Sequence, residues 1–158
     1  MTGVVELDTR ATIEAFVRAD PALHIYELGD LDPFFWPHTR WFGLRAEEPS
    51  GPELDALALL YTGAALPTLL ALSRGPSLAL ARLLAAIAAQ LPANRYAHLG
   101  PEQLPALGDR WHAEAHGRHL KMVLREPTRL EDVDISEVEV LGPTNLDELL
   151  ALYAASYP

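Results

Sequence analysis

The chain has 158 residues and a formal net charge of −10, with 49% apolar residues, 22% charged residues and no cysteine. That length suits one domain with a proper core, and the apolar share is that of a globular chain rather than a disordered one. The missing cysteines exclude disulfides, thiolate catalysis and cysteine-ligated metal sites, and the acidic balance opposes binding to nucleic acid or anionic membrane surfaces.

No apolar run reaches the roughly 18 residues of a membrane span, and the first residues lack the layout of a signal peptide. The expected location is the cytoplasm. Asp8 and Thr9 read as a helix start, followed by Ile13, Phe16 and Val17 at helical spacing up to Asp20. Pro21 restarts a helix carrying Leu23, Tyr26 and Leu28, which Gly29 ends. Residues 30–38, with two prolines and closely spaced aromatics, predict an ordered loop packed on the body.

Residues 41–45 predict a strand, 47–53 an exposed turn, and 56–62 and 68–73 two further strands bounded by Gly63 and Pro67. Short connections make these an antiparallel meander. Residues 76–91 predict the clearest helix, Ala/Leu-rich with Arg82 as its single charge and Pro92 behind it. Being apolar nearly all round, it is expected to be covered on most of its surface. A strand over 95–99, a short helix over 102–108 and a strand over 120–125 complete the pattern. The fold class is α+β (α/β in broader schemes): a mixed, largely antiparallel sheet flanked by helices.

Composition shifts near Glu126. Residues 125–140 hold six acids and two arginines, residues 134–141 alternate polar and apolar as a strand does, and Thr144 to Asp147 read as a capped helix start before Leu149, Leu150, Leu152 and Tyr153. This divides the chain into a domain over 1–126, an acidic linker over 127–137, and a strand and helix over 138–158. The last part either docks on the first domain or opens a second one. The acidic stretch 131–139 reads as a solvated linker or as a surface for a basic partner.

The order of elements, with Leu28-Gly29-Asp30-Leu31-Asp32, Phe35-Trp36-Pro37 and Leu59-Leu60-Tyr61-Thr62-Gly63, resembles the N-terminal half of bacterial two-domain acetyltransferases of the GNAT family. The resemblance covers residues 6–125 and 138–158. It implies a GNAT-like fold, acetyl-CoA as cofactor, a small-molecule or peptide amine as acceptor, and a second GNAT domain or a homo-oligomer as partner. It also implies that this half is often a degenerate copy. The family's pyrophosphate loop, Gln/Arg-x-x-Gly-x-Gly/Ala between a strand and a helix, corresponds to Arg74-Gly75-Pro76-Ser77-Leu78-Ala79. Arg74 and Ala79 fit the pattern, Ser77 replaces the inner glycine, and Pro76 removes one backbone donor. Arg74, Gly75, Ser77 and Ala79 are therefore the cofactor-binding candidates. The other reading of this segment is a plain helix start, with Pro76 in the first turn and Ser77 as a tolerated neighbour.

For the chemistry itself, Tyr61 and Tyr96 are candidates for the acid that protonates the leaving thiolate, or else buried structural tyrosines. Tyr26, Trp36 and His38 are acceptor-pocket candidates, because the segment before the sheet lies by the acceptor side in the family. Glu14, Glu27 and Glu102 read as helix-surface charges, leaving no evident general base. His112, His116 and His119 with Glu114 have spacing that a metal could use, but Gly117 interrupts them and a hydrated connection is the simpler expectation. Ser73 and Ser77 lack the Gly-x-Ser-x-Gly context of a serine hydrolase, and no Walker or dinucleotide fingerprint is present. The rival to an enzyme half is a non-catalytic scaffold that packs against a partner.

Overall fold

Strand β2, Thr39–Arg45, buries Trp41, Phe42, Gly43 and Leu44 in one unbroken run, as a strand must when both faces of its sheet are covered. The computed structural model, which describes residues 3–46, 53–108, 111–117, 119–131 and 133–156, places β2 beside the equally apolar β3, Leu54–Tyr61. The expected turn over 47–53 lies largely outside the described residues. Around this pair the sheet has five strands in the order β1-β2-β3-β4-β5, with β1 at Val4–Leu7, β4 at Thr68–Ala71 and β5 at Tyr96–Leu99. All neighbours are antiparallel except β4 and β5, which are parallel. Parallel neighbours need a crossover, and α3, Leu78–Ile87, supplies it. The architecture is thus the expected α+β: a mostly antiparallel sheet with flanking helices.

Two apolar clusters lie on the two faces. On one face, Phe42, Ala58, Leu60 and Leu69 meet Leu80, Leu83, Leu84 and Ile87 of α3. These four helix positions follow the i, i+3, i+4, i+7 stripe, and each burial contributes about 2 kcal/mol. On the other face, Leu7, Trp41, Leu57, Leu59 and Leu70 meet Ile13 and Val17 of α1, Arg10–Arg18. Gly43 sits where Leu7 and Leu54 close over the sheet; a Cβ there would stand 2.9 Å from each side chain, so any other residue would push those leucine methyls aside.

Several expectations need correction. The first element is a strand, β1, not a helix: Val4 to Leu7 pair with Leu44 to Trp41, and four residues owe that state to the partner more than to propensity. The second helix is shorter than 21–29. Asp20 accepts the backbone N–H groups of Leu23 and His24 in a turn, and α2 spans only Ile25–Gly29. The helix over 76–91 is α-helical to Ile87 and tightens to 3-10 geometry over Ala88–Gln90 ahead of Pro92. It is also not covered on most sides. Leu78 is 78% exposed, and Ala85, Ala86 and Ala89 face solvent, because alanines expose little area at small cost. The expected short helix over 102–108 is a 3-10 segment, Pro101–Leu107.

The expected strand over 120–125 is irregular, with Leu120, Met122, Val123 and Leu124 exposed, and β5 ends the sheet. Residues 134–141 likewise form a turn and irregular backbone instead of a strand. Both segments carry strand-type residues, but among the described residues no strand pairs with either, and propensity without a ladder does not make a sheet. The chain divides into two compact units, Met1–Met122 and Val123–Pro158. In the second, a 3-10 turn leads into α4, Leu146–Ser156, where the Asn145 side chain accepts the Gly142 N–H at 3.0 Å.

Candidate functional site

The segment between β4 and α3 holds the cofactor candidates. The Ser73 hydroxyl donates to the Gly75 carbonyl at 2.6 Å, and Gly75 turns the chain at φ 148°, a region that favours glycine. The Ser77 Oγ accepts the Leu80 N–H at 3.2 Å, so Ser77 is the N-cap of α3 and not a tolerated neighbour, with Pro76 just outside the helix. Ala79 packs toward the α3-side core. The Leu78 and Ala79 N–H groups occupy the first turn, where no intrahelical acceptor exists and the helix dipole favours an anion.

Arg74, the one cationic side chain in the loop, does not stand free over that turn. Its Nε and Nη2 both engage the Asp20 carboxylate, the second at 2.7 Å. The bidentate pair holds the Asp20 carboxyl below the usual carboxylate range and raises the Arg74 guanidinium further. Asp20 also brings a negative charge to the place where an anionic ligand would meet Arg74.

The two tyrosines lie elsewhere. Tyr61 pairs with Thr68, and Thr68 with Tyr96. They share one row on the α1 face, about 10 Å apart across two strand spacings. That row is at the start of β4, while the Arg74 loop follows the end of β4, about another 10 Å along the strand. Tyr61 is half-buried, with its hydroxyl over Gly63 and rings of Phe35 and His38 at 6.2 and 6.4 Å. Tyr96 is 51% exposed and meets His116 at 5.8 Å. The structure therefore sets the tyrosines two strands apart in one row and separates both from the cofactor candidates.

The three acceptor-side candidates also disperse. Trp36 stacks on Trp41 at 6.2 Å, with the Arg10 guanidinium 4.6 Å from its ring. His38 is exposed beside Tyr61, and Tyr26 is exposed beneath Lys121. None lines the open cleft of about 540 Å³ between α1 and the α2 end, whose walls include Arg10, Glu14, Arg18, Leu31, Asp32 and Phe35. Of the histidine cluster, His116 turns to Tyr96 and His119 to His98. Among the described residues no three groups stand close enough to hold a metal.

One carboxylate escapes the sequence reading. Glu27 is not a helix-surface charge: it is 2% exposed, its Oε1 lies 3.1 Å from His24 Nδ1, and its Oε2 is buried without a hydrogen-bond partner. The only signal was the i, i+3 spacing of His24 and Glu27. Burial, and then the charge of Glu27, push the Asp30 carboxyl up to about 6. Glu27 also attracts His98 and Lys121, both of which burial lowers.

A raised carboxyl binds its proton more tightly in the folded state, so its contribution is present below the unfolded pKa and is lost as pH rises through about 6. Allowing for solvent screening, the loss is on the order of 1 kcal/mol. We expect wild type to lose that much relative to Asp30→Asn between about pH 4 and about pH 6, read by urea unfolding at each pH. Taking the difference cancels the opposite slopes of Glu6, Asp20 and Glu53, whose carboxyls are lowered by arginine partners. Parallel profiles would refute the assignment.

No known protein family, characterised protein or solved structure matches this chain. Among the described residues, no helix is long and apolar enough to cross a membrane.

Proposed function

We propose that this chain is the N-terminal, cofactor-degenerate half of an acetyl-CoA-dependent N-acetyltransferase of the GNAT type, serving as its acceptor-side or scaffold half in the cytoplasm. The observation that carries this reading is the β4–α3–β5 crossover beside an antiparallel meander, with Arg74 and Gly75 leading into the first turn of α3. That is where the family resemblance puts the pyrophosphate loop. Three features support the degenerate half of the statement. Asp20 occupies the Arg74 guanidinium, Pro76 offers no N–H, and a side chain stands at the Ser77 position. The tyrosines stay candidates for the parent enzyme's acid, with a small-molecule or peptide amine as acceptor.

The test is thermal unfolding at millimolar acetyl-CoA. A ligand at its Kd stabilises by only about 0.4 kcal/mol, so wild type is expected to shift by about 1 °C or less. Asp20→Asn frees Arg74 and removes the competing carboxylate, and should raise the gain to about 1 kcal/mol. Adding Arg74→Ala should abolish it. A large wild-type shift indifferent to Arg74→Ala would place the coenzyme elsewhere, and no shift in Asp20→Asn would remove the loop from consideration.

A second reading, a scaffold without coenzyme, is favoured by residues 123–156. Every described side chain of α4 is exposed, including Leu146, Leu150, Leu152 and Tyr153. Eleven residues of apolar-rich helix without a buried position have no core of their own.

A further inference from the structure

The chain has one lysine, Lys121; its other basic residues apart from histidine are all arginine. Arginine keeps its charge under all conditions a protein meets, whereas lysine can lose its proton and act as a nucleophile. That single amine sits in a specific place. The described residues of the 111–122 segment, 111–117 and 119–122, have no regular secondary structure, and Lys121 fastens the segment to α2. Its Nζ donates to the Leu23 carbonyl and lies 4.6 Å from the centre of the Tyr26 ring. Glu27, one helical position beyond Tyr26, holds a buried carboxylate oxygen without a partner and attracts the ammonium. The side chain is still exposed enough for a small reagent to reach it.

We propose that Lys121 is an acyl-acceptor site, taking a small acyl group from an activated donor such as an acyl phosphate or thioester, and that acylation releases the 111–122 segment from α2. The neutral Nζ attacks the donor's carbonyl carbon, and the N–C bond forms. The C–O or C–S bond breaks with its electron pair leaving on phosphate or thiolate, and the ammonium proton passes to water. Burial lowers the Lys121 ammonium, which enlarges the reactive fraction. The resulting amide keeps one N–H for the Leu23 carbonyl but carries no charge. The attraction to Glu27 and the cation–π contact with Tyr26 are then lost. Trp111, packed on the α3-side core with the Arg95 guanidinium 3.7 Å from its ring, still holds the start of the segment, and His116 on Tyr96 and His119 on His98 are the ring contacts left nearer Lys121. The site stands on this geometry and does not need the acetyl-CoA reading.

The experiment incubates the full chain with acetyl phosphate at about pH 8, with acetyl-CoA in a parallel arm and Nα-acetyl-lysine amide as internal reference. Intact mass and peptide mapping read the product. One acetyl group on Lys121, formed at least about threefold faster than on the reference amine, is expected. Glu27→Gln removes the charge that raises the Lys121 ammonium against burial, and should quicken it. Hydrogen exchange over residues 111–122 should rise in the acetylated chain. Lys121→Arg should take no acetyl at that position and melt as wild type does, which separates reactivity from folding. If Glu27→Gln fails to fold, the wild-type rate against the reference decides. Acetylation confined to the N-terminal amine, or a Lys121 rate no faster than the reference, overturns the site; unchanged exchange overturns the release. Labelling by acetyl phosphate but not by acetyl-CoA upholds Lys121 and assigns it the acyl phosphate as donor.

Discussion

Trp41→Ala is expected to destabilise the chain by about 3–5 kcal/mol and lower its melting temperature by about 10 °C or more. Trp41 is 1% exposed at the centre of β2, opposite Leu7 on one side and Leu59 on the other. Its indole N–H donates to Thr39 Oγ1 at 2.8 Å, and Thr39 Oγ1 in turn donates to the Trp36 carbonyl at 2.8 Å. Its ring stacks on Trp36, which carries the Arg10 guanidinium on its ring. Truncation therefore opens a cavity beneath α1 and also cuts the link from β2 through the 3-10 turn at Trp36–His38 to the start of α1. Trp36→Ala, at a half-buried position, should cost less than half as much. Urea unfolding of the two variants checks the ranking, and equal losses would mean that the stack, not burial, sets the energy.

The central strands and α3 are legible in the sequence because their signals are strong and local. Leu80, Leu83, Leu84 and Ile87 mark one helical stripe, and the short apolar run through Leu57–Leu60, bounded by Gly63, fits a strand covered on both faces. Elements that depend on a partner are not legible in this way. The Val4–Leu7 segment is a strand because β2 lies beside it, while the equally strand-like 120–125 segment has no strand partner among the described residues. The candidate site divides along the same line. Gly75 and Pro76 announce a turn into a helix. Nothing local announces that Asp20, 54 residues earlier, holds Arg74. Glu27 is missed because a glutamate at a helical position defaults to the surface, and its burial follows from how α2 seats on the sheet.

His24→Ala should destabilise the chain by about 3 kcal/mol, the cost of stranding a buried carboxylate whose second oxygen already lacks a partner. Part of that loss is packing, because the imidazole also lies 5.5 Å from the Phe16 ring. The double variant His24→Leu with Glu27→Met separates the two contributions. It keeps the volume and removes both polar groups, and replacing a buried pair by apolar residues of similar size is often neutral or stabilising. We expect the double variant to unfold within about 1 kcal/mol of wild type although His24→Leu alone should cost about 3 kcal/mol, so the cycle of wild type, His24→Leu, Glu27→Met and the double yields a coupling of about 2 kcal/mol or more. Urea midpoints of the four chains measure it. Additive single losses would mean that His24 and Glu27 act on stability independently. A strong coupling with no net stabilisation carries the opposite meaning: the pair is held in the interior at no benefit to the fold. Buried charged pairs kept at no benefit to the fold concentrate where chemistry is done, and the charge of Glu27 acts on both Asp30 and the chain's one lysine.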